Sequence, residues 1–294
     1  MHFFPLEHEH TLTDREFEGC CRSCERSFRM VYRRLCDFYN TIRGYSLADL
    51  YQLSPSEIFN LYLIIDDIAH LECHHDLDKR ILSNVDVQRM LPAIRHYYKT
   101  FFDIHESFLV NEVIQAEDPW LPLMDFGLYP RYETLVRTQV ESLQHERPQR
   151  VAFVGSGPMP ISLILLYRLY GIESVGIDID QKAVSLSRQG LRRLGLEGPI
   201  TVVQGTEEAL SHIDWDLVVV AALAEPKVRI FDHLRKIMAE DGRRPVICRT
   251  YSGLRTLLHP PLEQKDYPGF RIRKEIRPEK NRVNNTLLQL EMQG

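Results

Sequence analysis

The clearest chemical signal is a pair of glycines between two apolar runs, in the segment VAFVGSGPMPISLILLYRLYG. Gly155 and Gly157 follow a short apolar run and precede a longer one. Glycine lets the backbone approach a ligand closely, and Pro158 suits the first turn of a helix, where backbone N–H groups lack partners. The segment therefore predicts a strand, a ligand-binding turn and a helix.

An acid in the next apolar run, SVGIDI, indicates what the turn binds. Asp178 stands where an acid hydrogen-bonds ribose hydroxyls in nucleotide-binding folds. The third glycine of the dinucleotide fingerprint is absent, and S-adenosylmethionine has no pyrophosphate to hold. We expect Gly155, Ser156, Gly157, Pro158 and Asp178 to bind S-adenosylmethionine. A dinucleotide, or a degenerate site that binds nothing, remains an alternative.

The spacing of apolar residues along the chain changes near residue 147. Up to that point the apolar residues have helical spacing, as in SPSEIFNLYLIIDDIAHLE, which begins with the serine and proline of a helix start. We predict an all-helical domain over residues 1–147, covering the active site. Its longest segment carries one apolar stripe, made of Ile94, Tyr98, Phe101, Phe102, Phe108, Leu109 and Val113.

The carboxyl-terminal half alternates between strands and helices. Short runs rich in Val and Ile, such as ITVVQG, DLVVVAAL, PVICRT and TLLQLEM, are separated by amphipathic segments. This alternation predicts an α/β fold over residues 148–294, a doubly wound Rossmann-like domain with a parallel sheet covered on both faces. Ligands of such sheets bind at the carboxyl ends of the strands, where the glycine turn would lie.

The composition argues against nucleic-acid binding and against a membrane-spanning helix. A formal net charge of -5 argues against a nucleic-acid footprint, and no apolar run approaches the roughly 20 residues of a membrane-spanning helix. The acidic, histidine-rich start of the chain does not resemble a signal peptide. We therefore expect a cytoplasmic protein with a small-molecule ligand, and a homodimer as the commonest state of such enzymes.

Two cysteine and histidine clusters invite a metal hypothesis. Cys21 and Cys24 have metal-ligand spacing, but no second Cys-x-x-Cys completes a zinc site. His70 and His74 in HLECHH lie one helical turn apart, with the acid at the wrong position for a metalloprotease. We predict no metal site, and we interpret the six cysteines as free thiols.

Glu106 is a carboxyl group in an otherwise apolar stripe. It lies four residues after Phe102 and three before Leu109, hence on the same helical face. A carboxylate on a buried face is costly unless it is paired or used in chemistry. An ion pair with a neighbouring helix and a catalytic role are both open on this evidence.

Several runs of the chain resemble the nicotianamine synthase family, which includes archaeal members and bacterial enzymes that make opine-type metallophores such as staphylopine. The resemblance extends from about residue 90 to the carboxyl end, through EDPWLPLMDFGLYPRYETL, VAFVGSGPMPISLILL, VVVAALAEPKVRIFDHL, CRTYSGLR and RVNNTLLQL. It implies transfer of the 3-amino-3-carboxypropyl (aminobutyrate) group of S-adenosylmethionine to an amine, with release of methylthioadenosine.

The resemblance also implies residue roles. It places the catalytic glutamate of the family on Glu106 and its active-site tyrosine on Tyr132, which from the sequence alone is equally a packing residue. The glycine turn and Asp178 match the cosubstrate-binding residues. One departure is Gly205-Thr206, where the archaeal pattern has Gly-Asp.

The remaining candidates follow strand ends. Ala222 and Leu223, after the fourth predicted strand, are expected beside the cosubstrate. A guanidinium binds a carboxylate through two hydrogen bonds, so arginines are candidates for holding the amino-acid carboxylates. The predicted substrate-binding residues are Arg131, Arg249, Tyr251 and Asn284, with Thr250, Arg255 and Asn285 as further candidates.

The acceptor is an amino-acid amine, and we favour histidine, as in the bacterial metallophore enzymes. Glutamate, or formation of nicotianamine or thermonicotianamine from several aminobutyrate units, is an alternative. So is an ordinary small-molecule methyltransferase, which would release adenosylhomocysteine. A third alternative is a non-catalytic module that only binds S-adenosylmethionine.

Overall fold

A computed structural model describes residues 22–71, 76–143, 147–241, 244–277 and 282–293. The described part of the amino-terminal half is helical, and no strand interrupts it. None of the described helices is both long and apolar enough to cross a membrane. The helices of this half are α1 (Arg22–Ile42), α2 (Leu47–Gln52), α3 (Pro55–Ala69), α4 (Leu77–Ser83), α5 (Val85–Gln115), α6 (Trp120–Asp125) and α7 (Tyr129–Ser142).

The carboxyl-terminal half is a seven-stranded sheet with helices on both faces. The strands lie in the order β3-β2-β1-β4-β5-β7-β6. Strands β1 to β5 run parallel, and β7 runs antiparallel to β5 and β6. Their bounds, with those of the intervening helices, are β1 (Arg150–Val154), α8 (Ile161–Tyr170), β2 (Glu173–Asp178), α9 (Gln181–Arg193), β3 (Ile200–Gln204), β4 (Leu217–Val220), α10 (Lys227–Asp241), β5 (Val246–Thr250), β6 (Phe270–Ile276) and β7 (Thr286–Met292).

Local chemistry explains where the key helices begin. Ser54 caps α3 with a reciprocal bond to Glu57, and Pro55 occupies the first helical position. Asn84 caps α5 by accepting from the backbone N–H groups of Asp86 and Val87. The Asn84 cap fixes the first turn of the 31-residue helix that carries Glu106.

Two hydrophobic clusters cover the two faces of the sheet. Val151 and Phe153 of β1 belong to a cluster that includes the amino-terminal helices, α8 and α9. Ala152 and Val154 face the other way, into a cluster with α10. The alternation follows from the two-residue period of a strand. The first cluster is continuous across residue 147, so the helical half is packed directly onto the sheet.

The predicted α/β Rossmann-like fold is confirmed, with three corrections. The sheet is mixed, because β7 is antiparallel, and the charged edge strand β6 was not predicted. Pro158 is not in the first turn of a helix, because α8 begins at Ile161. Phe108 is 37% exposed, so it does not belong to the buried stripe. The division into domains at residue 147 stays a prediction.

Gly190 allows α9 to approach α5 closely. A Cβ atom there would lie 2.9 Å from Cγ2 of the buried Val110, whereas nothing lies within 4 Å of a Cβ at Gly198. We expect Gly190→Val to lower the free energy of unfolding by about 1–3 kcal/mol through overpacking. Gly198→Val should change it by about 0.5 kcal/mol or less. Urea denaturation tests this, and equal effects of the two substitutions would contradict the packing of α5 on α9.

Candidate active site

A cavity of about 680 Å³ lies at the carboxyl ends of the central strands, against α5 and α7. Its volume is in the range of small-molecule sites. All of the main predicted site residues line it, although they lie in eight separate stretches of the sequence. They are Glu106, Arg131, Tyr132, Gly155, Ser156, Gly157, Pro158, Asp178, Gly205, Thr206, Ala222, Leu223, Arg249, Tyr251 and Asn284.

The glycine loop after β1 has no room for a side chain at either of its two glycines. Gly155 and Gly157 have φ values of 85° and 69°, in the left-handed region that favours glycine. A Cβ at Gly155 would meet Cβ of Ala224 at 2.9 Å. A Cβ at Gly157 would lie 2.7 Å from Oε2 of Glu106. The loop backbone therefore lies directly against the candidate catalytic carboxyl group.

Asp178 holds this loop from the end of β2. Its Oδ2 accepts a hydrogen bond of 2.8 Å from the backbone N–H of Gly157, and its Oδ1 accepts one of 3.0 Å from that of Asp180. Each carboxylate oxygen has a further lone pair. Asp178 therefore shapes the loop and still has acceptor capacity toward the cavity.

Glu106 and Tyr132 meet across two helices. Tyr132 in the first turn of α7 donates a hydrogen bond of 2.9 Å to Oε1 of Glu106. No lysine or arginine among the described residues forms an ion pair with Glu106, so the ion-pair alternative is wrong for the part of the chain described. The hydroxyl of Tyr132 likewise bonds a carboxyl group and caps no loop.

The surroundings of Glu106 disfavour its charge. Burial raises the pKa of its carboxyl group to about 8, and the negative charges of Asp103 and Asp178 add to the rise. The hydrogen bond from Tyr132 acts in the opposite direction. Glu106 is therefore largely neutral at pH 7, and it can take up a proton when it is ionised near pH 8.

Acidic groups gather near the loop. Asp103 lies one turn before Glu106 on α5, and Asp178 and Asp180 follow β2. Lysines and arginines also line the cavity, but none among the described residues forms an ion pair with Asp103, Glu106, Asp178 or Asp180. This environment suits a cationic ligand and opposes a pyrophosphate.

Arg249 on β5 is a buried cation whose hydrogen bonds go to neutral groups. Its side chain donates to Oγ of Ser162 at 2.8 Å and to Oε1 of Gln139 at 3.0 Å. Only 4% of the residue is exposed, its Nε has no partner, and no carboxylate of the described residues pairs with it. Burial lowers its pKa to about 10. A buried guanidinium without an anion is costly, so the site is suited to a ligand carboxylate.

Arg131 is already paired. It contacts both carboxylate oxygens of Asp66, at 2.8 and 3.0 Å, and donates to the hydroxyl of Tyr62 at 2.9 Å. Asp66 is fully buried on α3. Arg131 lines the cavity, but its guanidinium group binds this internal carboxylate. Its predicted role in holding a substrate carboxylate is therefore weakened.

The remaining candidates divide into two groups. Gly205 and Thr206 line the cavity, where Thr206 also caps a short 3₁₀ turn by accepting from the backbone N–H of Glu208. Thr250 and Arg255 do not line it. Thr250 accepts from the backbone N–H of Leu262, and Arg255 donates to backbone carbonyls.

The sequence analysis did not predict the side chains that hold the site residues in place. Lys227 is buried at the start of α10 and donates to the backbone carbonyls of Ala222 and Ala224, so it fixes the loop after β4. Gln139 and Ser162 orient Arg249. A polar residue in an apolar run was the available signal only for Asp66, in IIDDIA.

The metal hypotheses fall largely outside the described chain. Cys21 and His74 are not among the described residues. Within the ranges given above, no three His, Cys, Asp or Glu side chains are grouped to hold a metal ion.

The sheet order, the glycine loop at its carboxyl edge and the helical layer over it define a Rossmann-like α/β protein with a cavity for small molecules. Comparison with known proteins identifies the family. A family model described as nicotianamine synthase protein matches residues 24–293. The chain therefore belongs to the nicotianamine synthase family.

Individual relatives fall into two groups. Nicotianamine synthase 2 of Arabidopsis thaliana is 28% identical over 295 residues, covering 92% of this chain and 86% of that protein. L-histidine 2-aminobutanoyltransferase of Pseudomonas aeruginosa is 30% identical over 139 residues, covering 47% of this chain and 52% of that protein.

Two solved structures of MtNAS are similar to this chain over most of its length. A glutamate-to-glutamine mutant of MtNAS in complex with S-adenosylmethionine has a TM-score of 0.81 and 29% identity, covering 90% of this chain and 98% of that one. MtNAS in complex with MTA and tNA has a TM-score of 0.80 and 29% identity, covering 94% of this chain and all of that one.

Substitution at Gly157 tests the contact with Glu106. Gly157 and Gly171 have nearly the same φ, 69° and 68°, but a Cβ at Gly171 meets nothing within 4 Å. We expect Gly157→Ala and Gly171→Ala to lose similar stability, about 1–2 kcal/mol, from the positive φ. Only Gly157→Ala should also displace Glu106 and abolish ligand binding in the cavity. Unfolding curves together with calorimetric titration of S-adenosylmethionine measure both effects, and unimpaired binding by Gly157→Ala would contradict the described contact.

Proposed function

We propose that the chain transfers the aminobutyrate group of S-adenosylmethionine to an amino-acid amine and releases methylthioadenosine. The observation that carries this proposal is the position of Glu106, with its carboxyl group against Gly157 of the loop and its pKa raised to about 8. Such a base prepares a protonated amine for attack on any carbon of the sulfonium, so the choice of the aminobutyrate group rests on the relatives. Membership of the nicotianamine synthase family, and solved relatives in complex with S-adenosylmethionine, support the same reaction.

The site fits S-adenosylmethionine as a substrate. The glycine loop lines the cavity, and Asp178 at its base retains acceptor capacity for ribose hydroxyls. The sulfonium is a cation, and the carboxyl groups of Asp103, Glu106 and Asp178 stabilise it electrostatically. The sulfonium in turn favours the ionised form of Glu106, so binding of the cosubstrate prepares the base.

The reaction needs one proton transfer and one substitution. Glu106 takes a proton from the acceptor ammonium group, which leaves the nitrogen lone pair free. The nitrogen attacks the aminobutyrate carbon bonded to sulfur, a C–N bond forms, and the C–S bond breaks. The electron pair of that bond goes to sulfur, which becomes the neutral thioether of methylthioadenosine. Tyr132 holds Glu106 in place through its hydrogen bond.

Positioning decides which carbon reacts, because the sulfonium has three. The nucleophile must lie in line with the breaking bond, at about 3–3.5 Å. Arg249 is suited to hold an amino-acid carboxylate, because its guanidinium is buried and pairs with no anion among the described residues. Holding that carboxylate in place would align either the aminobutyrate carbon or the acceptor amine for the substitution. The methyl group would then lie out of line with the nucleophile.

We favour histidine as the acceptor. The partial match to the histidine aminobutanoyltransferase supports this, whereas the plant nicotianamine synthases match over most of the chain and support repeated aminobutyrate transfer. Tyr251 directly follows β5 and Asn284 lies two residues before β7; both line the cavity, and we assign them to the acceptor side.

Product analysis tests the reaction type. Purified chain incubated with S-adenosylmethionine and histidine should release methylthioadenosine, identified by mass spectrometry. Glu106→Gln should reduce turnover by about 10²–10⁴-fold while binding S-adenosylmethionine nearly as well. Adenosylhomocysteine as the sulfur product would instead identify a methyltransferase, and unchanged turnover of Glu106→Gln would remove the base assignment.

The pH dependence tests the base and its partner together. Because Glu106 acts in its ionised form, kcat/KM should rise with pH up to a plateau above about 8. Tyr132→Phe removes the hydrogen bond that lowers the pKa of Glu106, so the rise should move to higher pH. The ammonium pKa of the acceptor does not change with this substitution, which separates the two groups. A rise that stays in place in Tyr132→Phe would contradict the assignment.

A further inference from the structure

The far wall of the cavity contains polar atoms without partners. Four described residues that line the cavity have a buried side-chain atom without a hydrogen bond: Arg249 Nε and Asn285 Nδ2 are donors, Ser156 Oγ in the glycine loop can donate or accept, and Asn284 Oδ1 is purely an acceptor. Asn284 is 8% exposed, so its oxygen has little access to bulk water. A buried acceptor without a partner is costly unless a ligand supplies a donor.

The orientation of the Asn284 amide is fixed by its neighbours. Its Nδ2 lies 3.1 Å from the hydroxyls of Tyr62 and Tyr98. Oxygen and nitrogen of an amide are assigned from the hydrogen-bond network, so the question is whether Tyr62 accepts from Asn284 or donates to it.

Tyr62 can only accept from Asn284. Its single proton goes to Oδ1 of Asp66 at 3.0 Å, and Asp66 is acceptor-only because Arg131 binds both of its oxygens. One lone pair of the Tyr62 hydroxyl accepts from Arg131 at 2.9 Å, and the other accepts from Asn284. The buried Asp66 thus imposes a direction on the hydrogen bonds, which leaves Oδ1 of Asn284 as the unpartnered atom.

The amide oxygen of Asn284 is too far from Glu106 to bind the amine that reacts. Tyr98, Phe102 and Glu106 follow one face of α5 at spacings of four residues, so Tyr98 and Glu106 are about 12 Å apart along the helix axis. An acceptor amino acid whose amine reaches Glu106 therefore has to extend its side chain toward Asn284 to contact both groups.

We infer that Asn284 Oδ1, held in place by Asp66 and Tyr62, selects an acceptor amino acid whose side chain ends in an N–H donor. An imidazole meets this requirement, and a side-chain carboxylate does not, because it would set oxygen against oxygen. Arg249 supplies donors for the α-carboxylate of the same molecule. This inference rests on the proposed function and names its substrate class.

Tyr62→Phe and Tyr98→Phe form a matched pair for the test. Each substitution removes one of the two hydroxyls that contact the Asn284 amide. In Tyr62→Phe the remaining partner, Tyr98, accepts from the hydroxyl of Tyr251 at 3.3 Å and can still donate its own proton to the amide oxygen, so the amide can turn its NH₂ group toward the ligand. In Tyr98→Phe, Tyr62 still fixes the orientation. The Tyr62 ring is stacked on Phe101 at 4.2 Å, a contact that phenylalanine keeps.

The experiment is calorimetric titration of histidine and of glutamate into the chain saturated with methylthioadenosine. The wild-type chain should prefer histidine, and one of the two ring-methylated histidines, which lack one N–H each, should bind about tenfold more weakly. Tyr62→Phe should reduce the preference for histidine over glutamate about tenfold, and Tyr98→Phe should keep it within about twofold. Asn284→Leu should weaken histidine binding and leave methylthioadenosine binding unchanged.

Three results would overturn the inference. They are equal binding of glutamate and histidine by the wild-type chain, equal effects of the two tyrosine substitutions, and full binding of both methylated histidines. If methylthioadenosine binds and forms from S-adenosylmethionine with glutamate but not histidine, the proposed function stands and the inference fails. If methylthioadenosine does not bind at all, both fail.

Discussion

The site depends on one interaction, the approach of the Glu106 carboxyl group to a loop that has no side chain at Gly157. The contact joins the longest helix of the amino-terminal half to the first strand-to-helix loop of the sheet. No cation of the described residues neutralises this carboxyl group, and its hydrogen bond comes from a phenol. The resulting environment keeps its pKa near 8, which a carboxyl group needs to act as a base toward an amine near neutral pH.

The rest of the fold serves this contact. Gly190 permits close packing of α9 on α5, and the core is continuous from the amino-terminal helices to one face of the sheet. The helical half therefore cannot shift independently without disturbing Glu106. On the other side of the cavity, the buried pair of Asp66 and Arg131 organises the tyrosines and Asn284. The base and the amide that faces the acceptor amino acid are thus set by two separate acids, Glu106 with its raised pKa and the buried, ion-paired Asp66.

Much of this arrangement was predictable from the sequence, for identifiable reasons. The Val- and Ile-rich strands and the glycine loop have strong local patterns, and a carboxylate in an apolar stripe pointed to Glu106. Strand β6 was missed because FRIRKEI is an edge strand with charged side chains, which avoids the apolar alternation of buried strands. The commitment of Arg131 to Asp66 was not predictable, because it joins two helices distant in sequence. The same holds for the direction that Asp66 imposes on Asn284, which depends on which atoms meet and not on spacing along the chain.

The most direct test of the central claim is a titration of the Glu106 carboxyl carbon by ¹³C NMR, assigned by the loss of its signal in Glu106→Gln. The account predicts a pKa near 8 in the free chain. It also predicts a lower pKa when the cationic S-adenosylmethionine is bound than when the neutral methylthioadenosine is bound. A pKa near the ordinary glutamate value in the free chain, or one that is the same with both ligands, would contradict the account.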